Sequence, residues 1–476
     1  MPRRPRSRRS RASSRAAGPG RLRPLARGAL AAPALSATAL RYGLLPSLPA
    51  ALALWRREGA SQLHWKVLGD ALARTLQRAG PVYTKLGQIL ATREDLLPAA
   101  LCARLELLYA EQPAMSRREL RRALARAFPR ARPFAALEPA PLGVGSIGQV
   151  HRARLRDGRR VVVKLLRPGI ERALRRDLEG LRALLSLALA ATPAGRAARP
   201  QAQAALGTLE RSLLAECDLE REAAAYRDFA QRLAANPRVR VPHCHAEWSS
   251  ARALVLEELE GVPLAALRKR PASDPGRRRA AEVALREILA QVFEDGRFHA
   301  DPHGGNLLWL EEGRLGLIDL GMVGTLERDA RRQIARAVRA FLARDADGVL
   351  QALLALGELG PGFDCAAFRA ELAALFAAEG GRALARLRGR ADARDGGGLE
   401  QLVEQLFAVS RRHGVRFADG TVLLVKTLVT LEGVVRALDP ELDVVVKALP
   451  VVLAALAPPW LRWTRRRRSA PGPAGP

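Results

Sequence analysis

Four short segments carry residue types suited to phosphoryl chemistry, and they follow one another in a fixed order. They are Gly143-Val144-Gly145-Ser146-Ile147-Gly148-Gln149-Val150, Val161-Val162-Val163-Lys164, His299-Ala300-Asp301-Pro302-His303-Gly304-Gly305-Asn306 and Leu317-Ile318-Asp319-Leu320-Gly321. In the first, Gly143, Gly145 and Gly148 let the backbone approach a polyphosphate and take positive φ without a Cβ penalty. Ser146 and Val150 belong to the same nucleotide-facing set. Lys164 ends an apolar strand, a costly place for a charge unless it is paired. Glu222 is the first choice of partner and Glu216 the second. Asp301 is placed to orient or deprotonate an attacking hydroxyl, and Asn306 and Asp319 offer hard oxygen donors to Mg²⁺. Each segment is weak alone; in this order they are the parts of a kinase-type phosphotransferase.

Those residues need elements to hold them. A dinucleotide-binding turn would run strand, glycines, helix. Here the glycines lead into Val150–Leu155, then Asp157-Gly158, a strong hairpin signal, then Arg160–Leu166. Strand alternation puts Lys164 on the face of Val162. Residues 60–128 read as helices interrupted at Pro81, and Ser116 with Glu119 forms a capping box. Residues 190–204 read as an Ala/Pro/Gly-rich linker and about 206–233 as one acidic helix. Ala253–Glu257 reads as a strand closed by a Gly261-Val262-Pro263 hinge. From 278 onward the chain reads as helical apart from the two site segments. His299 suits a backbone-organising role, and a satisfied structural histidine is the default for His303.

Bulk properties narrow the class. At 476 residues, 48% hydrophobic, the chain supports two or three domains with a sizeable core. The net charge of +30 points first to nucleic acid. That reading is set aside, because only six of the 78 basic residues are lysines, the mark of an Arg-, Ala- and Leu-rich composition. Thirteen arginines and no carboxylate lie in residues 1–57, and Arg462 with Arg465 to Arg468 end the chain. Basic ends suit an anionic membrane surface, and a solvated tail is the rival reading. Neither apolar piece of 25–55 reaches the roughly 18–20 residues that span a bilayer. The segment 448–461, with Trp460 and Trp463 near its end, fits a membrane interface or a last packed helix equally. The four cysteines are scattered, and His243-Cys244-His245 lacks a metal spacing.

Further residues resemble the UbiB-type atypical kinases linked to ubiquinone biosynthesis. Lys85-x-Gly87-Gln88 with Thr92-Arg93-x-Asp95-Leu96-Leu97-Pro98 is similar to that family's N-terminal KxGQ extension. Ser146–Ala153, Val163-Lys164 with Arg167-Pro168-Gly169, Glu216-x-Asp218-x-x-x-Glu222-Ala223 and His299–His303 resemble its remaining motifs. Thr430-Leu431-Glu432-Gly433 and Leu438-Asp439-Pro440 do so downstream. The likeness spans about 60–445. It implies an α+β, bilobal protein-kinase-like fold with a helical extension. The expected divisions are a tail 1–57, KxGQ helices 58–135, an N-lobe 136–262, a helical C-lobe 263–442 and a tail 443–476. It further implies ATP and Mg²⁺ as cofactors, a Lys164–Glu222 ion pair, Asp301 as the catalytic residue, and Asn306 and Asp319 as metal ligands. Lys85, Gly87 and Gln88 would lie near the phosphates or hold the extension in place. Two positions depart from the family's pattern: Gly143-Val144-Gly145 where relatives are Ala-rich, and Gly304-Gly305 where relatives have Pro-Gly. The first implies easier closure on phosphate.

The combined expectation is a membrane-associated, Mg²⁺-dependent ATPase or atypical kinase serving isoprenoid-quinone or other lipid metabolism. Its partners would be a nucleotide, an anionic lipid surface and quinone or isoprenoid precursors, with no nucleic acid. Its place would be the cytoplasmic face of a membrane, a bacterial inner membrane first and a mitochondrial one second. The alternatives are a protein or small-molecule kinase and a nucleotide-gated, non-catalytic scaffold.

Overall fold

The computed structural model describes residues 62–91, 99–105, 113–130, 132–190, 193–387 and 399–457. The basic tail 1–57, the Thr92–Pro98 half of the KxGQ motif and the terminal Trp/Arg segment lie outside them. The chain divides into two compact units, each discontinuous in sequence. The first is Met1–Arg126, Pro141–Gln149 and Leu166–Cys217; the second is Ala127–Ala140, Val150–Leu165 and Asp218–Pro476.

The first unit is mainly helical. Helix α1 (Gln62–Ala79) ends at Gly80, whose φ of +127° turns the chain into α2 (Pro81–Ala91). Pro81 suits that start because a first-turn N–H has no helical partner to lose. Helix α3 (Arg117–Ala127) opens on the expected capping box: the Ser116 N–H donates to Glu119 Oε2 at 2.8 Å and the Glu119 N–H to Ser116 Oγ at 3.3 Å. Helices α4 (Ile170–Ala190) and α5 (Pro193–Glu216) pack together. Leu174, Leu178, Leu206, Leu209 and Leu213 are buried on them. The linker expected over 190–204 is therefore mostly helix. Its alanines and arginines are strong helix formers, and the helix runs through Pro200 to the buried Leu206, Leu209 and Leu213.

In the second unit α6 (Leu219–Arg232) begins afresh, so the single helix expected over 206–233 is two. The break falls at Cys217-Asp218, where the Asp218 side chain accepts the Arg221 N–H at 2.9 Å and caps α6. The unit's larger sheet runs β1 (Phe134–Leu137), β3 (Gly148–Leu155, from Val150 on in this unit), β4 (Arg160–Leu166, to Leu165 in this unit) and β6 (Ala253–Glu257); the short β2 (Gly143–Val144) belongs to the first unit. A second sheet orders β5 (Val239–Arg240), β10 (Leu315–Leu317), β9 (Leu307–Leu310) and β7 (Gly261–Pro263). The expected hinge at 261–263 is thus a paired strand. Gly261 serves close approach there, since a Cβ would lie 2.6 Å from Leu310 Cδ2 and 3.0 Å from the Trp309 carbonyl oxygen.

Strands β8 (Arg297–His299) and β11 (Val323–Thr325) pair antiparallel and bracket both site segments. Helix α7 (Pro275–Ala290) is capped by Asp274 and buries Ala280, Ala281 and Ala284, small side chains that admit the close packing of α8 (Asp419–Leu438). A separate cluster joins Phe341, Phe368, Phe376 and Val415. Beside it Gly357–Leu359 pairs with Val415–Phe417, a ladder the sequence reading did not foresee because strands of three residues show no period.

Candidate functional site

The second unit gathers the charged residues. On β4, Val161, Val163 and Leu165 are fully buried, while Val162 and Lys164 occupy the other face. The apolar half of the strand anchors the backbone, and each buried valine contributes about 1.5–3 kcal/mol by leaving water. Lys164 Nζ donates to Glu222 Oε2 at 2.8 Å and Oε1 at 3.0 Å. It also stands 3.6 Å from Asp319 Oδ1. Of the two acids weighed for Lys164, Glu222 takes it. Burial pushes the Glu222 carboxyl above its ordinary value, with the Lys164 ammonium opposing. The same ammonium holds Asp319 below the usual aspartate range, so its half-exposed carboxylate is ionised at neutral pH.

Asp319 is held by its backbone. Its φ of 60° is left-handed, a conformation that aspartate tolerates better than most residues. Its N–H donates to the Tyr226 hydroxyl at 2.7 Å. Tyr226 is buried, and desolvation raises its phenol well above the ordinary value, which keeps it protonated. Glu222 and Tyr226 sit four residues apart on α6, hence on one face. One helical turn thus steadies Lys164 and the turn that carries Asp319. The sequence reading missed Tyr226; its spacing from Glu222 was the available signal.

The segment 299–306 is stitched to the Asp319 segment. The Ala300 N–H donates to the Met322 carbonyl at 3.0 Å and the Ile318 N–H to that of Asn306 at 2.9 Å. Asn306 is buried, and its amide nitrogen donates to the Asp301 carbonyl at 3.2 Å, leaving the amide oxygen as its acceptor. His299 is fully buried; its N–H donates to Gln291 Oε1 at 3.1 Å and its Nδ1 accepts the Asp301 N–H at 3.4 Å. Burial pushes its imidazole down to about 4, so the ring stays neutral and keeps the lone pair this contact needs. His303 is exposed and accepts the Gly305 N–H at 3.0 Å, which shapes the turn. Gly304 permits close approach: a Cβ there would lie 2.9 Å from the Ala265 nitrogen. Asp301 Oδ1 meets Lys426 Nζ of α8 at 3.2 Å, a contact the sequence reading did not foresee.

The remaining expected residues lie in the first unit, except Val150, which belongs to the second. Lys85 on α2 pairs with Glu216 at the end of α5, 2.8 Å apart. Gly87 is buried and Gln88 half-buried on the same helix. In the glycine segment the Gly145 N–H donates to the Gly148 carbonyl at 2.9 Å. Arg167 binds the Gly145 carbonyl at 3.2 Å and that of Pro113 at 2.6 Å, and buried Gln149 accepts the Met115 N–H at 2.8 Å. Gly143 and Gly145 are exposed, Ser146 and Val150 half-buried. Gly143, Gly145 and Gly148 all stay out of the left-handed region, so the positive φ expected of them is not what the segment uses. Burial, then Glu171 and Glu216, push the Cys217 thiol up to about 12, leaving it a poor nucleophile.

The donor set fits Mg²⁺: one ionised carboxylate and one amide oxygen are hard ligands, and this ion takes few of them beside phosphates. Among the described residues no three His, Cys, Asp or Glu side chains converge on a metal site, and the rings of His243 and His245 stand edge to face, 4.9 Å apart.

Residues 108–353 match the ABC1 atypical kinase-like domain and residues 398–443 the UbiB helical domain. A probable protein kinase UbiB of Marinobacter nauticus is 31% identical over 414 residues, covering 86% of this chain and 71% of the relative. One from Pseudomonas aeruginosa is 30% identical over 443 residues, covering 89% and 78%. Among solved structures, Rv3197 from Mycobacterium tuberculosis, in complex with erythromycin, has a TM-score of 0.53 at 20% identity, covering 86% of this chain and 100% of that one. At that identity the likeness shows the kinase-like mixed helix-and-sheet fold alone. On the two domain matches and these relatives, the chain belongs to the UbiB family of ABC1-type atypical kinases.

Proposed function

We propose that this protein is a Mg²⁺-dependent ATPase or atypical kinase that works at an anionic membrane surface in isoprenoid-quinone, foremost ubiquinone, or other lipid metabolism. The observation that carries the proposal is Lys164 within reach of both Glu222 and Asp319. Glu222 aims the ammonium, which is then the cation for nucleotide phosphates. Asn306 and Asp319 would hold Mg²⁺, which when bound neutralises charge developing on the phosphoryl oxygens. Asp301, through a half-exposed carboxylate, orients the attacking hydroxyl and accepts its proton. Neutral His299 fixes the backbone of Asp301 without competing as a base. Gly143, Gly145, Ser146, Gly148 and Val150 are assigned to the nucleotide, and Lys85, Gly87 and Gln88 to the phosphates or to holding the KxGQ helices. The membrane assignment rests on the basic ends; among the described residues no helix is long and apolar enough to cross a bilayer. The cytoplasmic face of a bacterial inner membrane is the favoured place.

Purified protein incubated with Mg-ATP and anionic liposomes tests the reading. Turnover stimulated by the liposomes and lost in Asp319→Asn is expected. No turnover, with Asp319→Asn indistinguishable from wild type, overturns it. Label transferred to a protein or metabolite would favour the kinase branch, and tight ATP binding without hydrolysis the scaffold.

A further inference from the structure

We propose that Lys426, on the helix matched by the UbiB helical domain, is a positioning residue for Asp301, so that this domain contributes a working cation to the catalytic segment. The inference rests on the reading of Asp301 as the residue that handles the attacking hydroxyl.

Three observations carry it. Lys426 Nζ lies 3.2 Å from Asp301 Oδ1 and 3.4 Å from Met322 Sδ, placing it between the catalytic segment and the residues that follow Asp319. The helix that delivers it is seated tightly. Gly420, in the first turn of α8, passes so close to β11 that a Cβ would lie 2.2 Å from the Thr325 carbonyl oxygen. Strand β11 in turn pairs with β8 in the register Val323 to His299, the residue that fixes the Asp301 backbone. A short, rigid path therefore links the start of α8 to the carboxylate that Lys426 meets.

The third observation is chemical. The pair is not buried: the side chains retain 45% and 31% of their exposure. Such pairs contribute little to folding, so stability does not account for it. The residue is a lysine in a chain whose 78 basic residues include only six lysines. An arginine at this place would fork across a carboxylate and hold it; a lysine is a compact point charge on a flexible stem that can keep one contact while turning toward another. With nucleotide present, Lys426 keeps Asp301 aimed at the hydroxyl and sets a positive charge beside the segment where the terminal phosphoryl must arrive.

The test uses the full chain with Mg-ATP and compares wild type, Lys426→Met, Lys426→Arg, Asp301→Asn and the Asp301→Asn/Lys426→Met double variant. Lys426→Met should lower kcat about 10- to 100-fold, the scale of a small misplacement of a reacting group, and leave the KM for ATP nearly unchanged. Lys426→Arg should recover only part of the loss, because a forked guanidinium holds the carboxylate without turning toward a second contact. In the Asp301→Asn background Lys426→Met should cost nothing further, because residues that act as a unit are not additive. An unchanged kcat in Lys426→Met, or losses that multiply in the double variant, overturns the proposal. A wild type without turnover defeats the enzymatic reading instead. The lysine proposal then rests on zero-length carbodiimide crosslinking read by peptide mapping. An Asp301–Lys426 amide that Asp301→Asn abolishes supports it, and its absence from wild type overturns it.

Discussion

Two lysine–glutamate pairs among the described residues share one separation and differ in surroundings. Lys164–Glu222 and Lys85–Glu216 both close to 2.8 Å, and their glutamates lie six residues apart in the sequence. Glu222 keeps 3% of its side-chain exposure and Lys164 20%, whereas Glu216 and Lys85 keep 30% and 28%. Distance alone would rank the pairs as equals; burial does not. A charge out of water depends on its partner, while a charge near water exchanges that partner for solvent at little cost. The second unit also commits Tyr226, His299 and Asn306 to fixing its acidic residues through buried groups. In the first unit the glycine segment and Lys85 face solvent more and are held mainly by Arg167, Gln149 and Glu216. The residues assigned to bond-making are pinned; those assigned to covering phosphate are adjustable.

The strongest way to break this contrast is to remove each lysine in turn. Lys164→Met strands a buried carboxylate and should destabilise the protein by about 3–5 kcal/mol, while Lys85→Met should cost about 0.2–1 kcal/mol. Urea unfolding midpoints measure both. Combining Lys164→Met with Glu222→Leu should recover much of the loss, since an apolar pair of similar volume carries no desolvation cost. Equal penalties for the two lysines would show that burial does not separate the pairs.

A second buried group in the same unit sharpens the contrast through pH. The His299 imidazole titrates at about 4 in the folded protein, against about 6.5 when exposed. Between those values the unfolded chain binds a proton that the folded chain refuses, so stability falls as pH drops through this window. The full difference is worth about 3 kcal/mol. His299→Asn retains an acceptor for the Asp301 N–H and does not titrate, so its stability should be flatter from pH 6.5 to 4. Asp319 has the opposite form of shift. Its depressed value gives stability that is present above the ordinary aspartate range and lost as pH falls through the folded value, and it is common to both proteins. Superimposable pH–stability curves for wild type and His299→Asn would remove the buried histidine from the argument.

How much of this was legible beforehand differs between the units. The motif order, the Ser116 box, the Asp157-Gly158 hairpin and the partition of Lys164 from Val161 and Val163 are local, and local patterns of spacing and capping show in a sequence. The assignment of Glu222 over Glu216 depended on where α5 stops, and the cap at Asp218 that stops it was read as helix interior. Proline and glycine in 190–204 were read as linker, because the residues that anchor this helix, Leu206, Leu209 and Leu213, lie beyond the segment itself. Tyr226 and Lys426 were missed for a related reason: each matters through a partner 93 or 125 residues away. The scarcity of lysine was read as a mark of composition and gave Lys426 no role.

The smallest expected effect on folding lies in the first unit's glycine segment. A Cβ on Gly143 would meet nothing within 4 Å, and one on Gly145 only the Gly148 carbonyl oxygen at 3.6 Å. Neither residue uses a left-handed backbone. Replacing both with alanine should therefore leave the fold intact, or add up to about 1 kcal/mol by restricting the unfolded chain. Folding does not require these glycines, so any reason for them must lie in what the bare backbone approaches. On the proposed closure over the terminal phosphate, Gly143→Ala/Gly145→Ala should weaken ATP severalfold with an unchanged thermal midpoint, and ADP less. Calorimetric affinities for both nucleotides decide it. If ATP and ADP bind the variant as they bind wild type, the glycines are indifferent to phosphate, and the contrast between a pinned second unit and an adjustable first one loses its functional meaning.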